Sequence, residues 1–191
     1  MHTSREPVRL AMRQLWSDHV VWTRLYIIAA VNGTPDANAA ADRLLSNQDQ
    51  IGNAIKPYYG NDAGSEVTRL LKDHIMIAVD LVEDAKSGNN DKFAKDDKRW
   101  DDNIRAIAKY LSSANSNWSE SDLYDLLNQH LQLTKGEVVA RIKQDWTADV
   151  KAFDDIYAEA MVIADALYDG IAAQFPDKFD TASQMKAVGV A

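Results

Sequence analysis

Three of the four histidines in the chain, His19, His74 and His130, lie 55 and 56 residues apart. Each stands in a matching context: Leu15-Trp16-Ser17-Asp18-His19-Val20, Leu70-Leu71-Lys72-Asp73-His74-Ile75 and Leu126-Leu127-Asn128-Gln129-His130-Leu131. Polar residues that the pattern also turns inward follow each of them: Asn47, Asn103 and Asp149. Two or three imidazoles with a carboxylate from Asp149 or Glu159 form a donor set suited to zinc, iron, copper or nickel. An ion held there would either be simply bound or activate water or dioxygen. A plainer reading competes with both. Each ring could hydrogen-bond to an amide of its own hairpin and serve packing alone, because a buried polar group costs a few kcal/mol unless it is paired.

The elements that would place these residues follow from periodicity. Counted from each histidine, positions −7 (Met12, Val67, Leu123), −4 (Leu15, Leu70, Leu126), −3 (Trp16, Leu71, Leu127), +1 (Val20, Ile75, Leu131) and +8 (Ile27, Val82, Val138) are apolar. That is one stripe of an α-helix, and the histidine lies inside it. Position +4 is small in each case (Thr23, Ala78, Thr134), which leaves room beside the ring. Gly33 and Gly88, 14 residues past their histidines, suit helix C-caps. Thr34-Pro35-Asp36 and Asn89-Asn90-Asp91 suit the starts of second helices. In those second helices Leu44, Trp100 and Trp146 align, then Asn47, Asn103 and Asp149, then Ile51, Ile107 and Phe153, then Ile55, Leu111 and Tyr157.

A fixed period of this kind predicts a repeat of helical hairpins: residues 7–60, 61–118 and 119–177, with a frayed tail over 178–191. The third unit is the irregular one, because Asp149 follows its histidine too soon. One reading turns the hairpin at Gln144, with Val138 and Ile142 extending the stripe and Gly136 costing about 1 kcal/mol. The other turns it at Thr134, where Thr134-x-x-Glu137 resembles a capping box. The first is preferred, and it brings Tyr157 to Glu159 level with His130. Lys56-Pro57-Tyr58-Tyr59-Gly60 and Ser112 to Ser119 are read as the links between hairpins. The expected fold is all-α, an up-and-down bundle of about six helices in a single domain.

Composition narrows the chemistry. With 191 residues, 46% hydrophobic and 26% charged, the chain can bury a sizeable core without staples. It has no cysteine, which removes disulfides, thiolate nucleophiles, iron–sulfur clusters and cysteine zinc sites. A net charge of −8 argues against nucleic acid as a partner. The most apolar stretch, Val20 to Val31, carries Arg24, and no run approaches the roughly 20 residues of a membrane span. Met1 to Pro7 lacks the hydrophobic centre of a secretory signal, so a cytoplasmic protein is expected. His2 is read as an exposed terminal residue. Glu-x-x-His pairs, His-Glu-x-x-His and Gly-x-Ser-x-Gly are all missing, and Gly60-x-x-x-Gly64 lacks the strand and lysine of a phosphate loop. Arg24 and Arg43 are read as partners in surface salt bridges, with anion binding as the alternative.

The stretches Leu15-Trp16-x-Asp18-His19-Val20-x-Trp22-Thr23-Arg24, Asn47-Gln48-x-x-Ile51-Gly52-Asn53-Ala54-Ile55-Lys56-Pro57-Tyr58-Tyr59-Gly60 and His130-Leu131-x-Leu133-Thr134 carry a resemblance. So do Leu71-x-x-His74-Ile75, Ala164-Asp165-x-Leu167 and Gln174-Phe175-Pro176. On these motifs the chain resembles a family of uncharacterised bacterial helical proteins. Members are sometimes labelled glycosyltransferase or acetylglutamate kinase. Neither label finds support here, since there is no nucleotide-binding βαβ unit. Similar sequences carry a histidine where this chain has Tyr157, so the resemblance puts Tyr157 in the place of a fourth inward imidazole.

The expectation from sequence is therefore a bundle with a polar chamber. His19, His74, His130 and Glu159 are the candidate metal ligands, and Asn47, Asn103, Asp149 and Tyr157 the candidate ligand-binding residues. The guest would be a transition metal or a small polar molecule. A metal-dependent enzyme and a structural or protein-interaction module are the alternatives.

Overall fold

The computed structural model describes residues 6–179; His2 and all but the first two residues of the expected tail lie outside that span. The described residues form six helices and a short 3₁₀ turn: α1 (Glu6–Asn32), α2 (Ala37–Tyr59), α3 (Asn61–Ser87), α4 (Asn90–Ala114), α5 (Glu120–Ile142), α6 (Trp146–Gln174) and Pro176–Lys178. Each helix packs on the next, and α1 packs on α6, so the up-and-down bundle closes into a ring. The odd-numbered helices α1, α3 and α5 also meet one another across its middle. No described helix is long and apolar enough to cross a membrane.

Three tight turns at one end set the height of everything else. Gly33, Gly88 and Gln144 have φ of 69°, 70° and 58°, the left-handed region. At each, the residue's N–H reaches three residues back (Ala30, Ala85, Arg141) and the next N–H five back (Ala29, Asp84, Ala140). This double bond is the Schellman motif, which satisfies carbonyls that a helix end otherwise leaves bare. The third hairpin thus turns at Gln144, with Thr134 and Gly136 inside α5.

That turn corrects the expectation of a shortened third unit. Trp146 is the first residue of α6 and is 51% exposed, lying over Arg141, so it is no counterpart of the buried Trp100. Nothing is missing from the hairpin. The apparent gap came from matching two tryptophans that stand at different heights.

The other end is closed by aromatic packing. Pro57 does not stop α2: it sits in the last turn, and the helix ends at Gly60, where φ is 88°. Tyr58 stacks on Phe179 and Tyr59 meets Phe175 edge-on, contacts that hold the turn despite the missing proline N–H. Phe179 is buried, so the chain is still anchored where fraying was expected. The link after α4 begins at Asn115 rather than Ser112 and is also pinned. Trp118 is buried and donates its indole N–H to Ala166 O at 3.1 Å. It fits because residue 170 is glycine, where a Cβ would fall 1.9 Å from the indole nitrogen.

Candidate functional site

His19 lies on α1, His74 on α3 and His130 on α5, the three helices that meet in the middle. Each precedes its turn residue by 14 positions. At about 1.5 Å per residue, all three stand about 21 Å from the same end of the bundle. All three are buried, and the His19 and His130 ring centroids are 5.5 Å apart.

Each ring is fixed through Nδ1 by the residue 29 positions further on. His74 Nδ1 is 2.9 Å from Asn103 Oδ1, His130 Nδ1 is 2.9 Å from Glu159 Oε2, and His19 Nδ1 is 3.2 Å from Gln48 Nε2. The partners settle which ring nitrogen carries the proton. Asn103 Nδ2 donates to Leu70 O, so its oxygen accepts and His74 Nδ1 donates. A carboxylate only accepts, so His130 Nδ1 donates to Glu159. Gln48 is the reverse, because its Nε2 faces the acceptors Leu44 O and Asn47 Oδ1 and so must be the amide nitrogen. His19 Nδ1 therefore accepts, and its proton is on Nε2. With Nδ1 of every ring engaged, Nε2 is the nitrogen that remains, bearing a lone pair on the neutral His74.

The interior in question is a cavity of about 40 Å³ lined by all three imidazoles. Thr23 and Thr134, each one turn past a histidine, line it too and donate their hydroxyl protons to His19 O and His130 O. Ile27, Val82, Val138, Phe93, Trp100 and Tyr26 are among the residues of the remaining wall. Lys135, also in the wall, is held by Asp97 at 2.7 Å. A second cavity of about 40 Å³, wholly apolar, lies on the other side of the histidine layer among Met12, Trp16, Val67, Leu71, Leu123 and Leu127.

Burial keeps two of the rings, His19 and His74, neutral. It holds His19 well below the usual imidazole range, helped by His130 and His74. Burial, and after it His130, push His74 down to about 3 against the hydrogen bond to Asn103. Among the described residues three buried side-chain oxygens have no partner, and two of them, Gln48 Oε1 and Glu159 Oε1, belong to residues that grip a histidine.

The structure brings together His19, His74, His130, Asn103 and Glu159. Asn47 stands behind the layer: its Nδ2 donates to Leu15 O, and it supports Gln48 rather than touching His19. The sequence reading missed Gln48 by one position. Spacing could have found it, since Gln48, Asn103 and Glu159 each follow their histidine by 29 positions.

Asp149 and Tyr157 belong elsewhere. Asp149 is 2% exposed and accepts from Arg24 Nη2 at 3.0 Å and Arg141 Nη1 at 3.3 Å. Glu137 joins them, its Oε1 2.5 Å from Arg24 Nη1, making a buried network of two carboxyls and two guanidiniums. Burial pushes Glu137 up to about 7 although Arg24 opposes it. Tyr157 is 39% exposed and shares a hydrogen bond with Ser17 Oγ at 2.8 Å, outside the chamber. Its place ten residues nearer the turn than expected for a match to Ile55 and Leu111 explains the difference.

Among the described residues, no group of three or more histidine, aspartate or glutamate side chains is arranged so that it could hold a metal ion. Comparison of the chain with protein-family models, curated proteins and solved structures finds no match.

Proposed function

We propose that this is a binding protein whose interior chamber holds a small polar molecule or a transition-metal ion. One observation carries the reading: three buried imidazoles from three helices are each held through Nδ1, and all three line one shared cavity. Rings kept only for packing need no common height and no common cavity. A ring whose Nδ1–H is held by a carboxylate or amide is also oriented as metal-binding histidines are. His74 and His130 fit that pattern, and they would be the ligands of zinc, iron, copper or nickel. His19 does not fit it without a change of tautomer, and the present spacing of the rings does not form a coordination sphere.

We also infer that the three hairpins are copies of one unit. Support comes from the equal intervals of 14 from histidine to turn and 29 from histidine to partner, and from the same Schellman turn in each. Duplication explains why one polar layer, and not scattered polar pairs, runs through the core.

The packing reading keeps one observation on its side, since every Nδ1 is already satisfied within its hairpin. Elemental analysis of the purified protein, together with thermal shift against zinc, iron, copper, nickel and small polar organic molecules, separates the two. Bound metal, or a saturable rise in melting temperature abolished by His74→Ala, supports binding. No metal and no shift with any of them leaves the packing role.

A further inference from the structure

The second cavity, across the histidine layer from the chamber, has a chemistry of its own. All six helices and the link after α4 contribute to its wall, and every lining residue is Met, Trp, Ile, Val or Leu. All of them are buried except Leu111 and Leu126, which are half-buried. No polar surface opens into it. Apart from the Met12 sulfur, a weak acceptor, the two indole nitrogens are the only polar side-chain atoms these residues carry. Trp118 Nε1 is committed to Ala166 O. Trp16 Nε1 is buried without a partner, but one donor does not hold a water, which needs two to four polar partners.

The cavity therefore stays dry, and the atoms around it forgo dispersion contacts that an apolar guest restores. Size narrows the guest further. At about 40 Å³ the space takes roughly one to three heavy atoms. An aromatic ring needs far more, about 150 Å³ in a cavity of this kind.

A way in lies beside it. An open hollow of about 330 Å³ is rimmed by the exposed Asn117, Ser119 and Asp122. The hollow and the cavity share Trp118, Leu123 and Leu126, so one layer of side chains separates the cavity from solvent. Trp118 belongs to the link between α4 and α5 and not to a helix, so it can swing without unwinding one.

We propose that this cavity is a site for a small apolar molecule of the size of dioxygen, admitted from the hollow past Trp118.

The test is titration of the full chain with xenon under pressure, followed in methyl ¹³C spectra, with benzene as the oversized guest. The methyls of Ile51, Ile107, Leu127 and Ile163 should shift saturably, with a Kd on the order of millimolar, the ceiling for so few atoms. The exposed Val150 and Val162 should show only a linear drift. Benzene should leave the lining methyls in place, and dioxygen, being paramagnetic, should broaden them. Leu127→Phe fills the space and should abolish the xenon shift. The smaller Val67→Leu should weaken it at least about tenfold, and it answers the question where Leu127→Phe does not fold. Trp118→Phe loses the bond to Ala166 and should speed xenon exchange. Lining methyls that do not saturate, that follow benzene as they follow xenon, or that exchange magnetisation with water overturn the proposal. So does undiminished xenon binding in both filled variants, and unchanged exchange in Trp118→Phe overturns the route.

Discussion

His130 Nδ1 and Glu159 Oε2 are 2.9 Å apart, and both side chains are almost wholly buried. A buried carboxylate at this distance fixes the ring's tautomer and its orientation together. Glu159→Gln keeps an acceptor in place and should change stability by less than about 1 kcal/mol. Glu159→Leu leaves the Nδ1–H without a partner and should cost about 1–3 kcal/mol in chemical denaturation. Asn103→Leu at His74 should cost a similar amount.

Acid should weaken the fold well before the carboxylates of the surface matter. His19 and His74 are held neutral, so below pH 6.5 the unfolded chain takes up two protons that the folded chain refuses. Glu137 acts the other way between 4.5 and about 7, keeping a proton that the unfolded chain has lost. The balance is one more proton on the unfolded chain. Stability should therefore fall by about 1.4 kcal/mol per pH unit from pH 6.5 to 4.5. Asp165, Asp96, Asp101 and Glu66, whose values are lowered, act below that window. His74→Gln should bring the slope close to zero, which denaturation at several pH values measures.

Gln144 adopts a left-handed backbone at the position where the other two hairpins have glycine. A side chain in that region costs about 1 kcal/mol. Gln144→Gly should raise stability by about that amount and leave the chamber unchanged, whereas Gly88→Ala should lower it by a similar amount.

Arg24 links Glu137 on α5 to Asp149 on α6 from its place on α1. Arg24→Met would leave two buried carboxyls with Arg141 alone, and should cost about 3–5 kcal/mol. Pairing that change with Glu137→Gln should recover part of the loss, a double-mutant comparison that reports the coupling directly.

Much of this could be read from the residues alone. The apolar stripe, the inward histidines and the turn glycines follow helical period and backbone sterics, which are local. Three parts were not local. Gln48 and Asn47 are adjacent, and only the one-residue difference between 14 positions before a turn and 15 after it selects Gln48. In the third hairpin, Trp146 and Asp149 imitate the pattern of Trp100 and Asn103 at the wrong height, and a glutamine in the glycine's place hid the turn. Arg24 was expected in a surface salt bridge, and its buried partners could not be read because they lie 113 and 125 residues away and no period connects them.

The central claim is that three imidazoles share one chamber. Imidazole ¹⁵N spectra of the full chain, recorded while zinc and, separately, a small polar molecule such as ethylamine are added, test it most directly. The account predicts that at least one of these guests shifts the Nε2 resonances of His74 and His130 together, while their Nδ1 resonances stay hydrogen-bonded and nearly fixed. Resonances that ignore both guests, or a shift confined to a single ring, would contradict it.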